Sequence, residues 1–219
     1  FSAAVLLMSI LGVIPGMDLK VGEMLSAQQK NTVSAMTEQT DIMMARSISL
    51  SEDITKELNQ CLTANGKTFS DLNDNPQLIM DLESALYPSL KSALDVKYCS
   101  GVFVVLDATV NTKTEYADTS RMGIYLRLSD LKAVNTSKQH VVFFRGNADI
   151  ARAEQVQLHN RWNLEFDTSA LPGYEQIMQF DGNRLVESCL WTDRLELSDT
   201  WEDVQLLYVP VLDSTGKVR

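Results

Sequence analysis

Aromatic and charged side chains that could form a binding pocket lie beside apolar runs in the second half of this 219-residue sequence. Arginine fixes a carboxylate through paired hydrogen bonds, aspartate holds an ammonium group, and aromatic walls exclude water around a small ligand. If these side chains converge on one side of a sheet, they predict a small-molecule site. The candidate ligand-binding residues are Tyr125, Arg127, Arg145, Trp162, Trp191 and Asp193.

The same residues have a simpler interpretation. Tyr125 and the tryptophans would then be core or interface residues, and the arginines would form surface ion pairs. Only their convergence in space would favour a pocket.

Sequence signals for catalysis and metal binding are weak. No GxSxG, HExxH or GxGxxG motif occurs, and "GKTF" at 66–69 lacks the first glycine of a phosphate loop because Cys61 stands there. His140 and His159 have no further ligand at metal-binding spacing. We therefore predict no catalytic residues, no metal and no cofactor, and these residues leave an enzyme open as the third of the alternatives.

The net charge limits the possible partners, and the cysteine content bears on the redox compartment. The formal net charge is -10 and the 19 basic residues are scattered, which disfavours nucleic-acid binding. Three cysteines leave the redox compartment open: Cys61 and Cys99 could pair, with Cys189 as a buried thiol, or all three could be free.

The first half of the chain is helical in pattern. A long helix is expected from Asp18 to about Ala64, ending at Asn65 or Gly66. A second helix should begin after a cap at Asp74 or Asn75, with Pro76 in its first turn. Its buried face would carry Leu78, Leu82 and Leu86, and Pro88 should break it, so that Leu90 and Leu94 lie in a further short helix.

The pattern changes to strands at Gly101. The runs "GVFVVLDAT", "RMGIYLRLSD" and "QHVVFFRG" predict three strands, and 147–158 predicts a helical insert. Two more strands are expected in "RLVESCLWTDRL" and "WEDVQLLYVPVL". The fold class is therefore α+β, a long N-terminal helix followed by one antiparallel sheet of about five to six strands.

The start of the chain is uncharged. Residues 1–17, "FSAAVLLMSILGVIPGM", are slightly short for a membrane span and fit the remnant of one, a buried helix or a signal-peptide remnant. We expect three regions: this segment, a helical stalk with short helices at 18–98, and a sheet module at 99–219 that is truncated at its C-terminus.

The closing stretch "YVPVLDSTGKVR" and the order of elements resemble the Cache sensor domains, PAS-like extracytoplasmic modules of bacterial membrane receptors. Their last strands carry an apolar-Pro-apolar-Asp-x-x-Gly pattern, and the matching residues here are Val209, Pro210, Val211, Leu212, Asp213 and Gly216.

The resemblance implies a ligand-sensing domain at the cell membrane, not an enzyme, that binds an amino acid, an organic acid or a similar metabolite over one face of the sheet. It also implies membrane attachment through flanking segments and a homodimer formed by the N-terminal helix. The alternative is a non-catalytic cell-envelope structural or assembly protein that oligomerises through that helix.

Overall fold

The computed structural model describes residues 13–94, 99–129, 140–180, 185–197 and 202–219. It confirms an α+β fold with a long N-terminal helix and a sheet accompanied by further helices. Most of the apolar segment expected at 1–17 lies outside the described residues, as does everything at 130–139. Across the described ranges, no helix is both long and apolar enough to cross a bilayer.

Helices precede the sheet and also connect its strands. The α-helices are α1 (Val13–Ala64), α2 (Pro76–Ala93), α3 (Ala148–Ala153) and α4 (Tyr174–Met178). Short 3₁₀ helices occupy Phe69–Leu72, Thr168–Ala170 and Leu185–Ser188.

The long helix α1 ends as its sequence predicts. Gly66 adopts a left-handed conformation with φ of 61°. The N–H of Lys67 donates to the carbonyl of Leu62 at 2.8 Å, and the N–H of Gly66 donates to that of Thr63 at 3.0 Å. This pair of bonds is the Schellman arrangement, which satisfies carbonyls at the helix end.

Backbone contacts divide the chain into two units, Phe1–Ile42 and Met43–Arg219. In the first unit, every described side chain from residue 23 to 41 is exposed. In the second unit, α1 continues to Ala64 and buries Ile54, Leu58 and Leu62. Packing within the chain therefore supports the second stretch, whereas the side chains of the first stretch are exposed.

Helix α2 begins as predicted and ends later than predicted. The side chain of Asn75 accepts from the N–H of Leu78 at 3.2 Å, and Pro76 occupies the first turn. The expected break at Pro88 is wrong, because α2 continues through it to Ala93. Proline removes one backbone hydrogen bond, and the fully buried Leu86 and Leu90 on either side of it hold the helix to the core.

The strands lie after α2. They are β1 (Gly101–Val105), β2 (Ser120–Arg121), β3 (Gly123–Leu128), β4 (Val141–Arg145), β5 (Gln157–Asn163), β6 (Phe166–Asp167), β7 (Leu190–Trp191), β8 (Leu195–Leu197), β9 (Glu202–Val204) and β10 (Leu207–Tyr208). The main sheet has the order β1-β3-β4-β5, and β2/β6, β7/β10 and β8/β9 form separate pairs.

The expected antiparallel sheet is instead mixed. β1, β3 and β4 are antiparallel, but β5 runs parallel to β4. The predicted helical insert at 147–158 is helical only over Ala148–Ala153, because the chain leaves the helix and Gln155 takes a left-handed φ of 54°. The short helix then acts as the crossover that a parallel strand pair requires.

The two last predicted strands do not join the main sheet among the described residues. They form only the short pairs β7/β10 and β8/β9. Thr192 continues the contact just after β7, since its N–H donates to the carbonyl of Leu206 at 2.9 Å and its hydroxyl accepts from the N–H of Leu206 at 2.9 Å. Pro210, which has no N–H to donate, follows β10.

The core lies on one face of the main sheet, between the sheet and the two long helices. Leu82 and Leu86 of α2 and Leu58 of α1 are fully buried there. The sheet contributes Val102, Val104, Ile124, Leu126 and Phe143, each no more than 8% exposed. This packed side leaves the opposite face to be covered by the segments that follow β5.

Candidate functional site

The opposite face of the main sheet carries a cluster of aromatic rings. Phe103 and Tyr125 lie opposite each other on β1 and β3, with ring centroids 6.3 Å apart in a T-shaped arrangement. Phe103 also contacts Tyr208 at 5.4 Å, and Tyr125 contacts Phe144 at 5.1 Å. Aromatic rings in tilted and edge-on contact present a large apolar surface, and here they form an apolar wall on this face of the sheet.

Strand β1 is the end of the main sheet, and two clefts lie along it. We call the larger one, about 300 Å³, the helix-sheet cleft, and the smaller one, about 100 Å³, the tyrosine pocket. Both are bounded by α1, β1 and the segment containing β10. They share the lining residues Ser47, Leu50, Phe103 and Leu207.

The helix-sheet cleft is mainly apolar. Its apolar lining includes Met43, Leu50, Ala93, Val102, Phe103, Tyr125, Val204, Leu206 and Leu207. Arg46 and Asp203 are exposed, and Asp203 forms an ion pair with Arg194 at 2.6 Å. The cleft can therefore take up apolar surface of a small molecule, with charge confined to its rim.

Of the six predicted ligand-binding residues, Tyr125 lines this cleft. A Cβ on Gly101 would lie 3.2 Å from the ring of Tyr125 and 3.0 Å from Cγ of Arg127. The glycine on the edge strand thus lets both side chains pass across it. A larger residue at this position would require these side chains, or the carbonyl of Leu126 at 3.2 Å, to shift by a few tenths of an ångström.

Arg127 lies on the same strand as Tyr125 but inside the protein. It is 3% exposed, and its guanidinium carbon is 5.8 Å from the ring centroid of Phe144. The ring of His159 also stacks on Phe144, and the two ring centroids are 4.0 Å apart. Arg127 is therefore part of the aromatic face, deeper than the cleft.

Arg145 and Trp162 secure the junction of β4 and β5. Arg145 donates to the carbonyl of Phe144 at 2.8 Å and to that of Arg161 at 3.0 Å. The indole N–H of Trp162 donates to the carbonyl of Gly146 at 2.9 Å, and the ring packs against the core. Neither residue lines either cleft.

Trp191 and Asp193 lie near the end of β7. Trp191 is half-buried and faces Leu207 across the strand pair, so it is one strand from the clefts. Asp193 is exposed. The structure thus brings Tyr125 to the larger cleft with Arg127 beside it, and places the other four residues away from its lining.

Phe103, Tyr174 and Tyr208 were not among the predicted site residues. The alternation in "GVFVV" gives the only sequence signal, since it places Phe103 opposite the buried Val102 and Val104. Tyr174 and Tyr208 line the tyrosine pocket because segments that are distant in sequence come together there. No local sequence pattern predicts such contacts.

Two tyrosines that line the tyrosine pocket have hydroxyl oxygens that are shielded from it. Tyr208 is 6% exposed, and among the described residues its hydroxyl has no hydrogen-bond partner. The hydroxyl of Tyr174 is buried beside the guanidinium of Arg121 and the carboxylate of Asp107. Burial raises the pKa of both side chains, and the charge of Asp107 raises that of Tyr174 further.

At the end of this pocket, the turn that follows Pro210 is fixed by one carboxylate. Asp213 accepts from the backbone and hydroxyl of Thr215 and from Nε of Arg219 at 2.6 Å. Burial alone would raise the pKa of Asp213, but these hydrogen bonds lower it to about 2. The charge of Arg219, which lines the pocket, is therefore already neutralised.

No metal site is formed within the described ranges, where no three His, Cys, Asp or Glu side chains come together.

Cys61, Cys99 and Cys189 are free thiols, so the possible pairing of Cys61 with Cys99 is not made. Burial raises the pKa of the Cys61 and Cys189 thiols, which favours their protonated form.

Comparisons of the chain with protein-family models, with curated proteins and with solved structures found no match.

Proposed function

We propose that this chain is the extracytoplasmic ligand-sensing domain of a membrane-bound signalling receptor, without catalytic activity. Its ligand is a small metabolite bound at the sheet, and the long helix α1 passes the signal on. The PAS-like architecture and the location at the cell membrane belong to this proposal, which rests on the resemblance to Cache domains together with the geometry of the cleft.

The observation that carries the proposal is the composition of the cleft walls. Met43, Ser47 and Leu50 of α1 form one wall, and Phe103 and Tyr125 of the sheet form another. A ligand in the cleft contacts both elements at once. It can therefore favour one position of the helix over another, which is the differential contact that a conformational signal requires.

A thermal-shift screen against a broad set of metabolites tests this function. We expect at least one compound to raise the melting temperature in a concentration-dependent way, because a ligand that binds only the folded state stabilises it. A screen in which no metabolite stabilises the protein would contradict the proposal.

Two substitutions on the same helix show whether such a compound occupies the cleft. Ser47 lines both clefts, so Ser47→Phe should fill the space and abolish the shift. Ser49 is exposed and lines neither cleft, so Ser49→Phe is the matched control and should keep the shift. An equal response of both variants would place the compound elsewhere.

The surface of α1 favours a second candidate, a non-catalytic cell-envelope structural or assembly protein. Large apolar side chains on it are open to solvent, among them Met24 at 72% and Met36 at 63% exposure. Helices with such residues associate with a second copy to bury them. Both candidates use a homodimer, but the assembly protein predicts a stable oligomer by light scattering together with a metabolite screen that finds no ligand.

A further inference from the structure

The outer edge of β1 carries backbone groups that the main sheet does not use. β1 ends the order β1-β3-β4-β5, so it is paired on one side only. The N–H of Leu128 donates to the carbonyl of Ser100, and the N–H of Leu106 donates to that of Met122, both at 3.0 Å. The antiparallel register is continuous between these bonds, so every second residue of β1 is hydrogen-bonded to β3. The residues in between direct their N–H and C=O groups away from β3.

These outward residues are Gly101, Phe103 and Val105. In the part of the chain that the structure describes, their backbone groups make no hydrogen bond on the outer side of β1. All three residues are half-buried. Because glycine has no side chain, the accessible surface of Gly101 belongs to its backbone. Its N–H and C=O are therefore within reach of a bound molecule.

The helix-sheet cleft lies along this edge rather than over one face of the sheet. Val102 faces the packed side and Phe103 faces the aromatic side, yet both line the cleft together with Gly101. A cleft over a single face would be lined by alternate residues of β1. The ring of Tyr125 reaches the same space by passing across Gly101. The outward backbone groups of Gly101 and Phe103 thus border the cleft.

The spacing of these groups indicates what can pair with them. Gly101 and Phe103 are two residues apart, which is about 6.8 Å along an antiparallel strand. Each offers one donor and one acceptor, and alternate residues of an extended peptide present complementary groups at the same interval. The side chains of such a peptide would meet the apolar walls formed by Met43, Val204 and Leu206.

The walls of the cleft limit the size of the partner. α1 contributes Met43 and Ser47 on one side, and the segment 203–207 forms another side. A second folded domain could pair with β1 only if this edge were open to a whole strand and its neighbours. A cleft of about 300 Å³ has the volume of a small-molecule site and takes a few residues of extended chain.

We propose that the helix-sheet cleft binds a short, extended peptide with an apolar side chain, whose backbone pairs with Gly101 and Phe103 as an added strand. This inference rests on the proposed sensing function and narrows its ligand from metabolites in general to short peptides. Because the bonds are made to the backbone, the apolar walls select the side chain of the peptide.

Acetylated tripeptide amides test the pairing. They carry threonine at the first and third positions and valine, leucine or phenylalanine at the second. Titration calorimetry on the whole 219-residue chain should detect binding of at least one of them. The tightest is then compared with two N-methylated forms, one methylated at the first and third residues and one at the second.

Alternate N–H groups of an extended peptide point to opposite sides, so only one methylation pattern removes the bonds to β1. That form should bind at least about tenfold more weakly, and the other should stay within about threefold of the parent peptide. Equal losses in the two forms would overturn the inference, and so would a failure of all three parent peptides to bind.

Amide hydrogen exchange locates the pairing on β1. In the free protein, the N–H groups of Val102 and Val104 should exchange slowly and those of Gly101 and Phe103 fast. Saturating tripeptide should slow exchange at Gly101 and Phe103 by at least about tenfold. Val105 is the control, since its N–H also points outward but it lines only the tyrosine pocket. Unchanged exchange at Gly101 and Phe103 would contradict the proposed pairing.

The variants of α1 separate this inference from the sensing function. Ser47→Phe should abolish tripeptide binding and Ser49→Phe should keep it, because only Ser47 lines the cleft. Unaltered binding to Ser47→Phe would place the peptide elsewhere and overturn the inference. If no tripeptide binds but a metabolite of another class stabilises the wild type and not Ser47→Phe, the sensing function stands and the peptide assignment is wrong.

Discussion

The two faces of the main sheet differ in what they are packed against. On one face, Val104, Ile124 and Leu126 are buried under α1 and α2, with at most 5% of each side chain exposed. On the other, Phe103 and Tyr125 are half-buried; Phe103 borders both clefts and Tyr125 borders the helix-sheet cleft. A closely packed face stabilises a fold, whereas a face of rings around open space leaves room for a ligand.

Buried polar groups occur on both sides of the sheet. On the aromatic side, the hydroxyl of Tyr208 is buried and has no hydrogen-bond partner among the described residues. On the packed side, the carboxyl of Glu83 is 1% exposed, and one of its oxygens accepts from the N–H of Asn147 at 2.8 Å. Because a buried carboxyl titrates and a tyrosine hydroxyl does not at neutral pH, we expect the packed side to respond to pH.

Matched leucine substitutions on the two sides should give the largest contrast. Leu126→Ala, at a fully buried core position, should lower the free energy of unfolding by about 4 kcal/mol because it leaves a cavity. Leu207→Ala, at the half-buried residue that lines both clefts, should cost less than about 1.5 kcal/mol, since little packing is lost there. Urea denaturation measures both, and equal losses would contradict the comparison.

Glu83 should make the packed face sensitive to pH. Burial raises the pKa of Glu83 from 4.5 to about 8, a rise that the N–H groups of Asn147 and Gly123 reduce and the charge of Glu165 increases. Since the folded pKa is the higher one, its stabilising contribution is complete below about pH 4.5 and is lost as the pH rises to 8.

Glu83→Gln replaces the protonated acid with a neutral side chain of the same shape. The variant should be more stable than the wild type at pH 8, by on the order of 3 kcal/mol, and similar to it near pH 5. Urea denaturation across this range measures the effect, with Glu52→Gln at an exposed position of α1 as the control. A pH dependence that survives in Glu83→Gln would show that another group causes it.

Local signals in the sequence account for much of the helical part. The cap at Asn75, the left-handed Gly66 and the buried face of Leu78, Leu82 and Leu86 all act within a few residues, so their effects could be predicted. Pro88 shows the limit, because burial of its neighbours by distant strands outweighs a local helix-breaking preference.

The sheet and the site depend on contacts that the sequence does not display. The parallel pairing of β5 follows from where α3 ends, at Ala153 just before the left-handed Gln155, and a helical pattern running to residue 158 concealed that end. Tyr125 could be predicted because alternation along β3 sets its face. Tyr208 could not, since its place beside Phe103 brings together residues that are far apart in the chain.

The most direct test of the account is a crystal structure of the protein with a stabilising metabolite bound. We predict electron density for the ligand between α1 and β1, in contact with Ser47, Phe103 and Tyr125. Density for the ligand on the packed face of the sheet, or at any site that does not contact both α1 and β1, would contradict the central claim.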